Sequence, residues 1–368
     1  MNNQRNYGID LLRMLAMFMI VVMHILGIGG ILSSCDTMSS QYEAAWFLEA
    51  VAYCAVNCYA LISGYVGIDA AYKYSNLILL WLRVVFYTVS ITILYGILMP
   101  NTVDKITYLK AFFPVMKSPY WYFTAYFGLF FFIPLLNKAI NSMTKRQLKA
   151  IIIAFISFFS LLQTIFGDKF GTVEGYSALW LIVLYIIGAY IKKYNSLHKI
   201  TIIRGLTGYV IMIIISWGSK YVVELLATLY GESSSIISLI ASYSERLIRY
   251  ISPTILFASI FLLVVFIQLK IAPGLQRCVA ILSPLAFSVY IIHAHPLVWN
   301  NFMDCRFSSY GSLSTPIMVI FILGTALIIY FICSFIDMDR VCIFNALKLK
   351  ERIENIEKQY LGNLWNEP

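Results

Sequence analysis

The chain contains a series of apolar segments, each about 20 residues long, and this constrains its fold more than any other feature. A helix needs about 20 mostly apolar residues to cross the hydrocarbon core of a bilayer. Only 12% of the 368 residues are charged, whereas soluble domains have about 25%. No segment shows the alternation of a lipid-facing barrel strand. The sequence therefore predicts an all-α, polytopic membrane protein with about ten transmembrane helices. The predicted spans are residues 9–32, 44–69, 77–99, 120–140, 148–166, 176–191, 202–229, 251–270, 279–298 and 313–336.

These spans leave no room for a separate soluble domain. The sequence predicts one transmembrane domain, residues 1–336, and a polar tail, residues 337–368, that is either a helix on the inner membrane surface or solvated. With the N-terminus inside, lysines and arginines are about twice as frequent on the inner side as on the outer side, so both termini are predicted to be cytoplasmic. The net charge of +9 is spread over many short loops, which suits anionic lipids and gives no reason to predict nucleic-acid binding.

The first span carries three ionisable side chains on one face. Asp10 and Arg13 are three residues apart, and Arg13 and His24 are eleven apart, which is nearly three whole turns. The arginine and the histidine are then separated by about 16 Å along the helix axis. Ionisable residues at membrane depth usually face a cavity or a partner, so this stripe is a candidate functional site. The alternative is that Arg13 reaches the inner headgroups and His24 is a hydrogen-bonded core residue.

The outer half of the ninth span is rich in polar side chains. It contains Ser288, Tyr290, His293 and His295. The two histidines are predicted to lie at a depth similar to that of His24. An interfacial belt of aromatic and imidazole rings is the alternative. Histidine is also a common metal ligand, but the spans offer few carboxylate partners beyond Glu49, and we predict no metal.

Small residues and a cation mark the second and third spans. Ser63 and Gly64, near the inner end of the second span, allow close approach either of a neighbouring helix or of a ligand. Arg83, in the third span, is the other cation within the membrane. It is expected to pair with a phosphate or with Asp10, or to reach the inner surface.

Two features stand out on the outer side. Trp121 and Tyr122 begin the fourth span, where an aromatic belt is common and where a stacking platform for a sugar is the alternative. Cys35 and Cys305 fall in two outer loops, where oxidation to a disulfide is chemically possible.

Four motifs follow one another along the chain. They are Asp10-x-x-Arg13 with His24 eleven residues beyond the arginine, Ser63-Gly64-Tyr65, Tyr120-Trp121-Tyr122-Phe123, and Ser288-x-Tyr290-x-x-His293. In this order they resemble the motifs of acyltransferase family 3, which comprises bacterial membrane O-acyltransferases. The resemblance covers nearly the whole chain and agrees with ten spans. The sequence departs from the family after the second span, where Lys73 and Arg83 stand in the region that carries a cluster of arginines in many members.

The resemblance implies transfer of an acyl group, usually acetyl, from cytoplasmic acyl-CoA to a hydroxyl of a cell-surface polysaccharide or its lipid-linked precursor. Such a protein lies in the bacterial inner membrane and uses acetyl-CoA as co-substrate. No extracytoplasmic domain accompanies the spans, so the chain is expected to act alone or with envelope-biosynthesis partners. On this interpretation the cofactor-binding residues are Arg13, Arg83, Lys73, Ser63 and Gly64, and the acceptor-binding residues are Trp121, Tyr122 and His295.

A catalytic mechanism follows as a hypothesis. His24 acts as a general base or briefly accepts the acyl group. The oxyanion of acyl transfer needs hydrogen-bond donors, for which the candidates are Tyr290, Ser288 and His293. Asp10, which completes the catalytic group, orients Arg13.

The main alternative is a transporter or flippase for a small solute or a lipid-linked sugar. Buried charge and histidines at membrane depth suit proton-coupled transport as well. However, the sequence shows neither repeated halves nor helices interrupted at matching positions. A sensor or structural subunit of an envelope assembly is a third class, with no specific support.

Overall fold

The protein is described by a computed structural model for residues 5–115, 120–230 and 243–362. Within these ranges all regular structure is helical and no strand occurs, which confirms the all-α prediction. The helices are α1 (Tyr7–Leu26), α2 (Ile31–Ser34), α3 (Ser40–Tyr53), α4 (Ala55–Gly67), α5 (Tyr74–Leu98), α6 (Lys105–Ala111), α7 (Trp121–Ser142), α8 (Lys145–Phe155), α9 (Leu162–Phe166), α10 (Ala178–Tyr194), α11 (Ile202–Tyr230), α12 (Pro253–Gln268), α13 (Pro273–Leu282), α14 (Ala286–His293), α15 (Pro296–Val298), α16 (Thr315–Ala346) and α17 (Leu349–Leu361).

The predicted spans correspond to helices of membrane-crossing length. In the described ranges, nine helical stretches are long and apolar enough to cross a bilayer. The remaining predicted span, 176–191, corresponds to α10, which has 17 residues. At 1.5 Å per residue α10 is about 25 Å long, at the lower end of the lengths that cross a bilayer. The chain is therefore a polytopic membrane protein.

Helix α1 lies at the centre of the bundle. It packs against α3, α4, α12, α14 and α16, which explains why its apolar residues are distributed all around the helix. The Asn6 side chain accepts hydrogen bonds from the backbone N–H groups of Gly8 and Ile9 and so begins the helix. Helices α11 and α16 lie at the perimeter, where Ile203 is 77% exposed and Ile320 67% exposed. Such surfaces are stable only against lipid.

Three predicted spans are not continuous α-helices in the structure. The fifth passes from α8 to α9 through a π-helical segment, Ile156–Leu161. The second span divides at Cys54 into α3 and α4. The ninth, predicted as continuous over 279–298, breaks near Pro284, because proline lacks the N–H group that would continue the helix. Its helix α14 ends at His293. After His293 the chain turns into the short helix α15, and Trp299 then packs its ring against His24 at 4.7 Å between centroids. The chain after His293 thus packs over the outer end of α1.

Helix α16 continues to Ala346, so the predicted domain boundary at residue 336 falls inside a helix. Its inner end is held within the protein by buried polar side chains. Arg340 donates two hydrogen bonds to Asp337, at 2.6 and 2.8 Å, and the Tyr87 hydroxyl donates a third at 2.6 Å. Because these buried polar groups form hydrogen bonds with one another, the helix can extend beyond the apolar segment that the sequence shows.

The tail forms helix α17, which docks onto the N-terminus of α5. The Glu357 carboxylate accepts hydrogen bonds from the backbone N–H groups of Tyr74 and Ser75, at 2.6 and 3.1 Å. Lys73 lies 3.6 Å from Glu354 in the same tail helix. The sequence assigns Lys73 to cofactor binding, and in this structure its ammonium lies beside the tail helix.

The small residues of α4 serve helix packing. A methyl group added at Gly64 would lie 1.9 Å from the carbonyl oxygen of Tyr185 in α10, and one added at Gly188 would lie 2.1 Å from the carbonyl oxygen of Leu61. The glycines thus let the two backbones touch. Gly64 is a packing residue in this structure, and Ser63 donates a hydrogen bond to Tyr59 O within its own helix, at 2.9 Å. Neither is placed as a cofactor-binding residue.

We expect Gly64→Ala to destabilise the protein, because the new methyl group would force α4 and α10 apart. Overpacking of this kind costs about 1–3 kcal/mol. Thermal unfolding in lipid nanodiscs measures the effect. Gly324→Ala in α16 is the matched control, because a methyl group there meets nothing within 4 Å. Equal melting temperatures for the two variants would contradict the packing role.

The two outer cysteines are not joined. Cys35 and Cys305 are both free thiols, and the Cys305 Sγ atom lies 3.5 Å from Asp304 Oδ1. The disulfide considered from the sequence is therefore not formed in this structure.

Candidate active site

Two histidines from distant parts of the chain meet at the centre of the bundle. His24 Nδ1 in α1 lies 2.8 Å from His293 Nε2 at the end of α14. His293 Nδ1 lies 2.5 Å from the carbonyl oxygen of Val289. A carbonyl only accepts, so His293 Nδ1 carries a proton; with both rings neutral, His293 Nε2 then accepts the proton of His24 Nδ1. The network therefore leaves His24 Nε2 unprotonated, free to take a proton or to attack an electrophile.

His24 lines a cavity of about 470 Å³ on the predicted outer side, which we call the outer cavity. Its walls include Glu49, Trp121, Tyr250, Tyr290 and Trp299. A narrower cavity continues from His24 along α1 and is lined by Met17, Ile20, Tyr59 and Tyr122. Because His24, Trp121 and Tyr290 line both, the imidazole lies where the two spaces meet.

Aromatic side chains form one wall of the outer cavity. The Trp121 ring stacks on Tyr250 at 5.9 Å and 28°, and it contacts Tyr176 at 4.5 Å. Tyr122 points into the narrower cavity, and among the described residues its buried hydroxyl has no hydrogen-bond partner. The predicted pair Trp121 and Tyr122 thus lies next to the histidines. The Tyr122 hydroxyl, assigned from the sequence to acceptor binding, is a donor available beside His24.

Two predicted residues of the ninth span are not brought into this site. Ser288 is completely buried, its hydroxyl has no partner in the described part of the chain, and it is not among the residues lining either cavity. His295 Nδ1 accepts the backbone N–H of Leu297 at 3.2 Å and so caps α15. His295 therefore caps a helix in this structure, whereas the sequence assigned it to acceptor binding.

A second site lies at the other end of α1. A cavity of about 220 Å³, which we call the inner cavity, is lined by Arg5, Asn6, Asp10, Arg13, Asp69 and Lys192, among others. The Asp10 carboxylate accepts from Arg5 Nε at 2.5 Å and from Arg13 Nη1 at 2.7 Å. Lys192 lies 3.5 Å from Asp69. Three cations against two carboxylates leave the lining with a net positive charge, which favours an anion.

The composition of the inner cavity differs from the prediction. Asp10 was grouped with the catalytic residues, but it is fourteen residues from His24, about 21 Å along the axis. Its carboxylate contacts the guanidinium groups of Arg5 and Arg13, the second of which the sequence analysis expects it to orient. Arg83 pairs with neither Asp10 nor this cavity in the described residues, since its Nη1 donates to Pro284 O at 3.2 Å. Arg5 and Lys192 were missed as site residues because neither belongs to a periodic pattern.

One face of α1 connects the two sites. Arg13, Met17, Ile20 and His24 are spaced by four, three and four residues and therefore point in one direction. Tyrosines pack beside this face. The Tyr59 hydroxyl donates to Arg13 O at 2.8 Å, and the Tyr122 ring lies 6.2 Å from Tyr59. The cation-rich inner cavity and the histidine site thus lie at the two ends of one face of α1.

This arrangement defines a multi-pass membrane protein with a histidine-lined cavity at one end of α1 and a cation-rich cavity at the other. Within the residues that the structure describes, no three His, Cys, Asp or Glu side chains are grouped as metal ligands. The family model with the description "Acyltransferase domain", of acyltransferase family 3, matches residues 6–335. The chain belongs to this family of acyltransferases, which confirms the resemblance and disfavours the transporter alternative. Neither the curated proteins nor the solved structures gave a match.

Proposed function

We propose that the protein transfers an acyl group, acetyl in the simplest case, from cytoplasmic acyl-CoA to a hydroxyl of a cell-surface polysaccharide or its lipid-linked precursor. It would do so in the inner membrane of a bacterium. The observation that carries the proposal is the face of α1 on which Arg13 and His24 lie about 16 Å apart along the helix axis, with His24 Nε2 left unprotonated by the contact with His293. This spacing suits a donor with anionic phosphates at one end and a thioester at the end of a long arm.

Donor binding is assigned to the inner cavity. The guanidinium groups of Arg13 and Arg5 and the Lys192 ammonium would bind the phosphates of CoA. The pantetheine arm would follow the face formed by Met17 and Ile20, beside Tyr59 and Tyr122. Its thioester would then reach the point where the narrower cavity meets the outer cavity.

The chemical step is assigned to His24. Its Nε2 takes the proton of the acceptor hydroxyl while the hydroxyl oxygen forms a bond to the acyl carbon. The C–S bond then breaks, and the proton passes from His24 to the sulfur, so that CoA leaves as a thiol. His293 accepts from Nδ1 throughout and stabilises the imidazolium that forms.

The intermediate of this step carries an oxyanion, which needs nearby donors. Tyr122 and Tyr290 both line the cavity at His24, and the Tyr122 hydroxyl has no other partner among the described residues. We assign these two tyrosines to the oxyanion in place of Ser288. The backbone of α7 fixes Tyr122 there, next to Trp121 in the aromatic wall.

Arg13→Ala tests the donor site. We expect it to weaken binding of acetyl-CoA by about tenfold or more, because a charge-assisted contact to phosphate is lost. Binding is measured by isothermal titration to protein in lipid nanodiscs, and thioester turnover is measured in parallel. Arg306→Ala, at an exposed position on the opposite side, is the matched control. Absence of acetyl-CoA binding by the wild-type protein would overturn the proposed function.

A further inference from the structure

The outer cavity contains a carboxylate that the acyl-transfer step does not use. Glu49 in α3 is 7% exposed and lines the cavity together with His24. Its buried Oε2 has no hydrogen-bond partner in the described residues, and none of the ion pairs found there includes Glu49. A buried carboxylate without a partner is costly. The missing partner is therefore expected to come from a ligand.

The surroundings of Glu49 favour a positively charged ligand. Trp121, Tyr176 and Tyr250 form a cluster of rings on the cavity wall, and Tyr53 packs against Tyr250 at 4.5 Å. Aromatic faces carry partial negative charge and attract cations. A carboxylate beside several such faces attracts an ammonium group and repels an anion.

No counter-charge within the described protein neutralises this cavity. Lysine and arginine are absent from its described lining. The buried ammonium of Lys220 packs on Trp46, in the same helix as Glu49, at 4.0 Å from the ring centroid, but it is paired with Glu224. The described residues thus offer Glu49 no cation, and the acceptor is left to supply one.

We propose that the outer cavity binds an acceptor that carries a protonated amine close to the hydroxyl to be acylated, and that Glu49 selects it by pairing with the ammonium. An amino-sugar unit has this chemistry. A protonated amine has no lone pair for attack, so the acyl group goes to the hydroxyl and the amine is unchanged. The acylation itself rests on the proposed function, whereas the recognition of charge rests on Glu49 and the aromatic wall alone.

Three glycosides that share one ring test the proposal: the methyl glycosides of glucosamine, glucose and glucuronic acid. The protein is held in lipid nanodiscs, because glycoside detergents would compete for the cavity. Binding is measured by quenching of tryptophan fluorescence, since Trp121 and Trp299 line the cavity, and transfer is measured as O-acetyl product by mass spectrometry. We expect the glucosamine glycoside to bind about tenfold more tightly than the glucose glycoside and the glucuronic acid glycoside to bind most weakly.

Glu49→Gln should remove the preference for the amine while acetyl-CoA binding is unchanged. Glu43→Gln is the matched control, because Glu43 lies in the same helix but accepts from Trp217 Nε1 at 3.1 Å, outside the cavity lining. Equal affinity of the wild type for the glucosamine and glucose glycosides, or a preference that survives Glu49→Gln, would overturn the inference. Failure of the proposed function would be seen separately, as absent acetyl-CoA turnover while selective glycoside binding persists.

Discussion

His24→Ala is expected to reduce acetyl-CoA thioester turnover by on the order of 10³-fold or more, because the variant lacks the group that takes the proton of the acceptor. His24 lines both the narrower cavity beside α1 and the outer cavity. Release of free CoA, measured with a thiol reagent on protein in lipid nanodiscs, gives the rate. Binding of acetyl-CoA should persist, since the inner cavity is at the other end of the helix.

His198→Ala provides the matched control for this experiment. His198 is exposed, and its Nδ1 lies 2.8 Å from Asn195 O in the loop after α10, away from the outer cavity. Its loss should leave turnover unchanged. Turnover by His24→Ala at the wild-type rate, with CoA binding intact, would show that another group activates the acceptor.

His293→Leu is expected to lower turnover by on the order of 10²-fold, although His293 is placed as a positioning residue. Its Nε2 accepts the proton of His24 Nδ1 and thereby keeps His24 Nε2 free. Leucine removes this acceptor, so the imidazole is free to rotate or to adopt the other tautomer, and the imidazolium formed during catalysis has no partner. The measurement is the pH dependence of the turnover number together with the KM for acetyl-CoA.

A purely structural role and a proton-positioning role for His293 predict different results. Glutamine retains a side-chain oxygen that accepts from His24, so His293→Gln should recover part of the rate that His293→Leu loses. If the two variants are equally slow and share the wild-type pH profile, His293 acts only in packing. The KM for acetyl-CoA should stay near its wild-type value in both variants.

Features that depend on one helix could be predicted from the sequence. The spans follow from segment length, since a bilayer of fixed thickness needs about 20 apolar residues. The stripe from Arg13 to His24 follows from the fixed rotation of about 100° per residue. Both are decided by local geometry, and both are found in the structure. Helix α1 runs from Tyr7 to Leu26, and Met17 and Ile20 lie between Arg13 and His24 on one face.

Features that depend on the packing of several helices could not be predicted in the same way. The contact between His24 and His293 joins residues 269 apart in the chain. It exists because α14 ends at His293, where the chain turns towards α1. The sequence showed both histidines at a similar depth, but depth does not say which way a helix faces. For the same reason the sequence could not show that Lys73 lies beside Glu354 of the tail helix or that Arg83 donates to Pro284 O.

The sequence by itself determined that this chain is a membrane-spanning acyltransferase and that one helix carries both a cation and a histidine. Tertiary structure alone decided which cations gather around Asp10, which tautomer His24 adopts, and that Glu49 faces the same cavity with its Oε2 unpartnered among the described residues. The physical reason is that spans and stripes are set by apolar length and helical rotation, whereas hydrogen bonds between helices depend on how each helix is turned in the bundle. That rotation is fixed by contacts such as the one between Gly64 and Tyr185, which no single segment contains.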